Sequence, residues 1–339
     1  MIHGTPGVVK RKTIYFTAPR HVELCEESLP ALGAEEVLVE TVCSAISAGT
    51  EMLIYRGQFP QLADANDNLS SDLKYPLAYG YACVGRIKET GSRVDRSLLN
   101  KLVFAFQPHT THFIARMAAL LLIPASLPAD AGCFLPNMET AVNLIQDAAP
   151  ILGERVLVLG QGVIGLLAAA LLHEFPLEAL VTSDCYEIRR RASRDIGIKI
   201  SFDPNQKDQP AHLENNFDLA IELSGRPETL NDALALTAFS GRILIGSWYG
   251  EKRAEIDLGG AFHRSRIKLI SSQVSSIAPE LRGRWDKARR FEVAWEALKR
   301  IEPQKWITHR FPIEEAEKAY KLLDENPQET IQVLFNYNA

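Results

Sequence analysis

A chain of 339 residues exceeds one ordinary hydrophobic core, so two domains are expected. Its 46% hydrophobic and 23% charged residues exclude long disorder. A formal net charge of -5 disfavours nucleic acid and anionic membrane, whose phosphates require concentrated Lys and Arg. No apolar run reaches the roughly 18 residues of a membrane span, Met1-Ile2-His3-Gly4 lacks a secretory pattern, and Cys25, Cys43, Cys83, Cys133 and Cys185 form no close pairs. A cytoplasmic protein with reduced thiols and a small-molecule partner is the expectation.

The first third reads as short extended segments at 13–17, 36–42, 83–88 and 101–106, rich in β-branched and aromatic residues and punctuated by Pro, Gly and Asp. The polar stretch 61–75 is expected to be a surface loop. From about Ala129 helical segments (139–147, 163–174) alternate with apolar strands at 155–159, 180–183, 219–222 and 242–246. Such alternation predicts a parallel sheet covered on both faces. Residues 285–300 read as a helix whose basic run, Arg282 to Arg290, is expected to be a solvated face. Ile313, Ala316, Tyr320 and Leu323 then share one apolar face of a last helix, opened by Pro312.

The central motif is Gly160-Gln161-Gly162-Val163-Ile164-Gly165, entered from the apolar strand Val156-Leu157-Val158-Leu159 and followed by an apolar helix. Glycine in the first position permits the tight turn, the second admits a pyrophosphate to the backbone, and the third lets helix and strand pack closely. The N–H groups of the helix start then face the phosphates. Asp184 ends the next strand, where an acidic residue accepts hydrogen bonds from the adenosine ribose and repels a 2'-phosphate. NAD is therefore expected over NADP. Arg189, five residues on, leaves room for dual specificity.

With Glu36-Val-Leu-Val-Glu40 before the loop at 46–51 and Phe217-Asp-Leu-Ala-Ile-Glu-Leu-Ser-Gly225 late in the Rossmann half, the chain resembles the medium-chain dehydrogenase/reductase family. The resemblance implies an α/β architecture. A GroES-like β-rich catalytic domain would span 1–128, a doubly wound Rossmann domain 129–276, and a return to the first domain 277–339. It also implies Ser224 and Gly246 as further dinucleotide contacts, and a homodimer through the sheet edge at 267–272. Where zinc-dependent members read Cys-Gly-Thr-Asp, this chain reads Ala48-Gly49-Thr50-Glu51; their Gly-His-Glu corresponds to Gly80-Tyr81-Ala82; and a third ligand would fall near Leu135 to Asn137. Catalytic zinc needs three protein ligands, so no metal is expected. Ile46-Ser-Ala-Gly-Thr-Glu51, Tyr55-Arg-Gly-Gln-Phe-Pro60 and Tyr75-Pro-Leu-Ala-Tyr-Gly-Tyr81 are similar to a zinc-free branch, the bacteriochlorophyllide hydroxyethyl dehydrogenases, without fixing a substrate.

Hydride transfer without a metal needs hydrogen-bond donors for the developing alkoxide. The resemblance makes Thr50 the first candidate for the proton relay and puts the Tyr81 phenol at a former ligand position. His109 is a polar residue that titrates near neutrality, which suits an acid or base. Trp248 and Tyr249 follow the strand at 242–246, where the family's nicotinamide is flanked, and are candidates for a wall against the substrate. Each has a plain structural alternative: a loop hydroxyl satisfying backbone, a ring filling space, a surface or core histidine, ordinary aromatic packing. The expected function is an NAD(H)-dependent, metal-independent oxidoreductase on an alcohol/carbonyl pair. The alternatives are a zinc-free enoyl or quinone reductase using NADPH, and a catalytically inactive dinucleotide-binding sensor.

Overall fold

The computed structural model describes residues 9–59, 73–206 and 217–337. The expected polar loop at 61–75 lies almost wholly outside them. In chain order the strands and helices are β1 Lys10–Ala18, β2 His21–Ser28, β3 Glu36–Ala45, α1 Thr50–Tyr55, β4 Leu77–Ala78, β5 Cys83–Thr90, β6 Leu102–Ala105, β7 His112–Arg116, β8 Leu121–Leu122, α2 Ala129–Gly132 and α3 Leu135–Ala148. There follow β9 Arg155–Leu159, α4 Val163–His173, β10 Ala179–Ser183, α5 Glu187–Asp195, β11 Ile200–Phe202, β12 Phe217–Glu222, α6 Thr229–Leu236, β13 Thr237–Ile245, α7 Ala261–Arg264, β14 Lys268–Ser271, α8 Lys287–Ile301, β15 Ile307–Pro312, α9 Ala316–Glu325 and β16 Gln332–Asn336. The chain divides into two compact units, one of Met1–Phe134, Ile307–Pro327 and Gln332–Ala339, the other of Leu135–Trp306 and Gln328–Ile331.

Unit 1 is a β-rich body. One sheet runs β15-β16-β3-β5-β6-β8 with β7 paired to β3, and a second runs β2-β1-β4. The period-2 alternation of β3 and β5 puts Val37, Val39, Cys83 and Ile87 into one core with Val103 and Phe113. A second core joins Ile14, Phe16, Ile46 and Met52 to Tyr320 of α9 and Phe335 of β16. The Cys43 and Cys133 sulfurs lie 3.3 Å apart in this unit. Burial, with the neighbouring Cys43, pushes the Cys133 thiol up.

Unit 2 carries a six-stranded sheet in the order β11-β10-β9-β12-β13-β14, parallel throughout. This is the doubly wound order, reversing direction between β9 and β12. The strands are near-continuous apolar runs because helices cover the sheet faces: Val156, Leu157, Val158, Leu219, Ala220 and Ile221 are fully buried. Helix α4, Val-Ile-Gly-Leu-Leu-Ala-Ala-Ala-Leu-Leu-His, is apolar around most of its circumference and is buried accordingly.

Two sequence expectations change. The last helix starts at Ala316, not at Pro312: Pro312 ends β15, and a 3-10 turn over Ile313–Glu315 intervenes. The basic run is not uniformly solvated. Asp286 caps α8, accepting from the Arg289 N–H at 2.8 Å, and Arg289 lies over the Trp285 ring. Arg290 points inward instead, 0% exposed, with its guanidinium 2.7 Å from Glu139 Oε1 and 2.6 Å from Asn143 Oδ1 on α3. Among the described residues no helix is long and apolar enough to cross a membrane.

Candidate functional site

In unit 2 the loop between β9 and α4 has the tight turn geometry that its glycines predict. Gly160 has φ +94°, and a Cβ there would stand 2.6 Å from the Leu223 backbone; one on Gly165 would stand 2.0 Å from the Gly160 carbonyl oxygen. Neither position tolerates a side chain. Gly162 caps α4 with no side-chain hydrogen bond to the helix start, and a Cβ on it would meet nothing within 4 Å. Val163 and Ile164 form the first turn, so their N–H groups, the dipole's positive end and the open space above Gly162 suit a pyrophosphate.

Asp184 follows β10 and is tied to this loop: its Oδ2 accepts from the Gln161 N–H at 2.7 Å, and its Oδ1 from the Tyr186 N–H at 2.8 Å. Each oxygen keeps a lone pair for a ribose hydroxyl. Arg189 lies 3.8 Å from Asp184 Oδ2, packs over the Tyr186 ring and donates to the Thr330 carbonyl. It is held beside the carboxylate. The Oε1 of Gln161 is buried and has no protein partner, an open acceptor inside the cradle.

At the end of β12 buried Glu222 gathers three of the sequence candidates, two on its carboxylate and one on its backbone carbonyl. It accepts from the Ser224 N–H at 2.7 Å and from the Ser224 hydroxyl, and from the Tyr249 hydroxyl at 2.6 Å; the Gly246 N–H donates to its backbone carbonyl at 3.0 Å. Burial and the Glu222 charge push the Tyr249 phenol far above its usual range, so it stays a proton donor to that carboxylate. Tyr249 thus braces the loop after β13, while Trp248 is 39% exposed.

Unit 1 brings Thr50 and Tyr81 together. The Tyr81 phenol donates to Ser47 Oγ at 2.6 Å, and Ser47 Oγ also accepts from the Thr50 N–H at 3.3 Å. Burial pushes the Tyr81 phenol up, against the easing effect of the Ser47 and Thr50 hydroxyls, and it therefore remains protonated at neutral pH. Tyr81 is nonetheless partly exposed, as is Thr50. His109 is elsewhere than a substrate contact requires. It is 0% exposed, its Nε2 lies 2.9 Å from Glu51 Oε2 and its Nδ1 lies 2.6 Å from Ser44 Oγ.

Sequence reasoning missed Ser47, Glu51 and Glu222. The available signal for the first two was their spacing: Ser47 accepts from the Thr50 N–H while Glu51 Oε1 accepts from the Ser47 N–H at 2.9 Å. That is a reciprocal cap of the capping-box kind, one residue longer.

The family's three zinc positions hold Ala48, which is exposed and has no donor atom, Tyr81, whose phenol is engaged with Ser47, and the start of α3, where Leu135 and Pro136 are buried. Among the described residues no group of three or more His, Cys, Asp or Glu side chains is placed to hold a metal ion. These residues do not fit a zinc ion.

No family model matches the sequence. Among curated proteins, the L-threonine 3-dehydrogenase of Xanthomonas euvesicatoria pv. vesicatoria is 23% identical over 367 residues, covering 97% of this chain and 99% of its own. Of solved structures, 2R,3R-butanediol dehydrogenase from Bacillus subtilis superposes with a TM-score of 0.78 at 16% identity, covering 97% of this chain and all of the other (100%). A short chain alcohol dehydrogenase from Escherichia coli CFT073, complexed with NADH, gives 0.77 at 18% identity, with 97% and 99% covered. Full-length likeness to dehydrogenases, the doubly wound sheet with its Gly160–Gly165 turn and the β-rich unit together give this chain the fold of the medium-chain, alcohol dehydrogenase-like oxidoreductases.

Proposed function

We propose that the protein is an NAD(H)-dependent, metal-independent oxidoreductase that moves a hydride between the nicotinamide and an alcohol/carbonyl carbon. The observation that carries this reading is the direct bond between cradle and selector, Gln161 N–H to Asp184 Oδ2 at 2.7 Å, which sets a carboxylate beside the glycine turn. When bound, the dinucleotide supplies or accepts the hydride. The protein's residues do the rest. Gly160, Gly162, Val163, Ile164 and Gly165 hold the pyrophosphate, Asp184 and Arg189 the adenosine ribose, and the loops carrying Ser224, Gly246, Trp248 and Tyr249 the nicotinamide half. Thr50 and Tyr81 donate hydrogen bonds to the substrate oxygen, replacing the electrophile that zinc provides in the metal-dependent members of the family. His109 acts from behind this pair, since both its ring nitrogens are engaged away from solvent. A second copy pairing along the outer strand β14 fits the same reading.

Cofactor choice is tested by titrating NADH and NADPH separately against the intrinsic fluorescence. NADH is expected to bind more tightly, and Asp184→Ser to narrow the difference, because the extra phosphate then no longer faces a carboxylate. Tighter NADPH binding by the unmodified protein would overturn the assignment. On metal, elemental analysis of the purified protein should find no stoichiometric zinc, and a chelator should leave its melting temperature unchanged. One retained zinc per chain would contradict the donor set.

A further inference from the structure

Beneath the Tyr81–Ser47 contact lies a run of buried polar side chains from five separate segments of unit 1. Tyr337 and His109 both meet Ser44 Oγ, each at 2.6 Å; His109 Nε2 lies 2.9 Å from Glu51 Oε2; and the Tyr320 hydroxyl donates to that same oxygen at 2.9 Å. Glu51, His109, Ser44 and Tyr320 are each 0% exposed. The bonds can all run one way: Tyr337 to Ser44, Ser44 to Nδ1, Nε2–H to the carboxylate. The other oxygen, Oε1, accepts from the Ser47 N–H at 2.9 Å.

A carboxylate buried among hydrogen-bond donors confers little stability that a well-packed apolar side chain would lack. What it adds is direction, because with both oxygens engaged it cannot turn. The Ser47 N–H is thereby fixed, and the Ser47 hydroxyl with it, which receives both the Tyr81 phenol and the Thr50 N–H. The His109 ring also packs against Gly80, the neighbour of Tyr81, closely enough that a Cβ on Gly80 would lie 3.0 Å from the ring.

We propose that Glu51 is the positioning residue of the Tyr81 and Thr50 donors, holding them through Ser47 and itself held by His109 and Tyr320. This rests on the donor roles assigned above. The carboxylate works here by geometry, as an acceptor for the Ser47 N–H. Glutamine keeps an acceptor oxygen for Ser47, and its amide NH2 can donate to His109 and to the Tyr320 oxygen once the imidazole takes the other tautomer and the Ser44–Tyr337 bonds reverse, at the cost of the acceptor for the Tyr320 O–H. Alanine keeps nothing.

The test uses the full-length protein labelled with 13Cζ-tyrosine, in which the resonance absent from Tyr81→Phe identifies Tyr81. Glu51→Ala and Ser47→Ala should shift that resonance alike, and the double variant should add nothing to either alone. Glu51→Gln should leave it near its original place. On a carbonyl or alcohol that the unmodified protein turns over, Glu51→Ala and Ser47→Ala should lower kcat about 10-fold or more with NADH affinity unchanged, and Glu51→Gln should stay within about 3-fold. Ser47→Ala alters only a partly exposed hydroxyl, and it keeps the test sound if Glu51→Ala fails to fold. An unmoved Tyr81 resonance in Ser47→Ala, or a Glu51→Gln protein as impaired as Glu51→Ala, would overturn the proposal. Should Tyr81→Phe keep full turnover while Ser47→Ala still moves the resonance, the donor assignment fails and the positioning stands.

Discussion

Thr50→Val and Tyr81→Phe are each expected to lower kcat by about 100-fold while leaving NADH affinity unchanged. Valine keeps the shape of threonine without its hydroxyl, and phenylalanine keeps the ring without the phenol, so each variant removes a donor and little packing. Without a metal, the charge that develops on the substrate oxygen is met by hydrogen bonds alone. One such donor is typically worth about 3 kcal/mol in the transition state. The Tyr81 phenol is suited to this because burial keeps it protonated; its bond to Ser47 holds it in place before substrate arrives, and on binding its one O–H swings to the substrate oxygen while the Ser47 hydroxyl turns to donate to the phenol oxygen. Steady-state kinetics on any turned-over substrate, with cofactor affinity measured separately, checks the expectation. Full activity in both variants would remove both donors from the mechanism.

The second large effect is on stability. Arg290→Ala is expected to destabilise unit 2 by about 3–5 kcal/mol, because it strands the Glu139 carboxylate in the interior. Glu139 is 5% exposed and Arg290 is fully buried, bonded to Asn143 and to the Ser276 carbonyl as well, so α3, α8 and the segment before α8 are fastened at one point. Lys287, 3.8 Å from Glu139 but half exposed, offsets little of the loss. Arg290→Met with Glu139→Leu should recover most of it, since a packed apolar pair leaves no stranded charge. All four tryptophans, Trp248, Trp285, Trp295 and Trp306, belong to unit 2, so urea unfolding followed by tryptophan fluorescence reports this unit specifically. A midpoint unchanged in Arg290→Ala would refute the assignment.

The Rossmann half was legible because its information is local. Strand β9, the glycine turn and α4 are contiguous, and Asp184 falls at a spacing set by one strand-helix-strand unit, so a pattern read along the chain coincides with a pattern in space. The departures from the family's zinc positions are local in the same way, each lying in one short segment that is read along the chain. The network under Tyr81 was not. His109 lies 58 residues from Glu51 and 65 from Ser44, and Tyr337 lies 293 from Ser44. No periodicity joins such positions. His109 alone therefore read as a titrating group near the chemistry, and only the tertiary structure assigns both of its nitrogens. Tyr249 is a parallel case: read as a wall for a substrate ring, it spends its hydroxyl on Glu222, 27 residues away on the neighbouring strand. Arg290 shows the limit of charge patterning, since a run of Arg and Lys says nothing about which one a helix turns inward.

Hydride transfer with NAD(H) and no metal is tested by incubating the protein with a strong chelator, removing the chelator with its bound metal, and following NADH absorbance with a panel of aldehydes, ketones and secondary alcohols. Turnover of at least one carbonyl/alcohol pair is expected at the rate of the untreated protein, faster with NADH than with NADPH. Turnover that disappears with the chelator and returns with added zinc would contradict it.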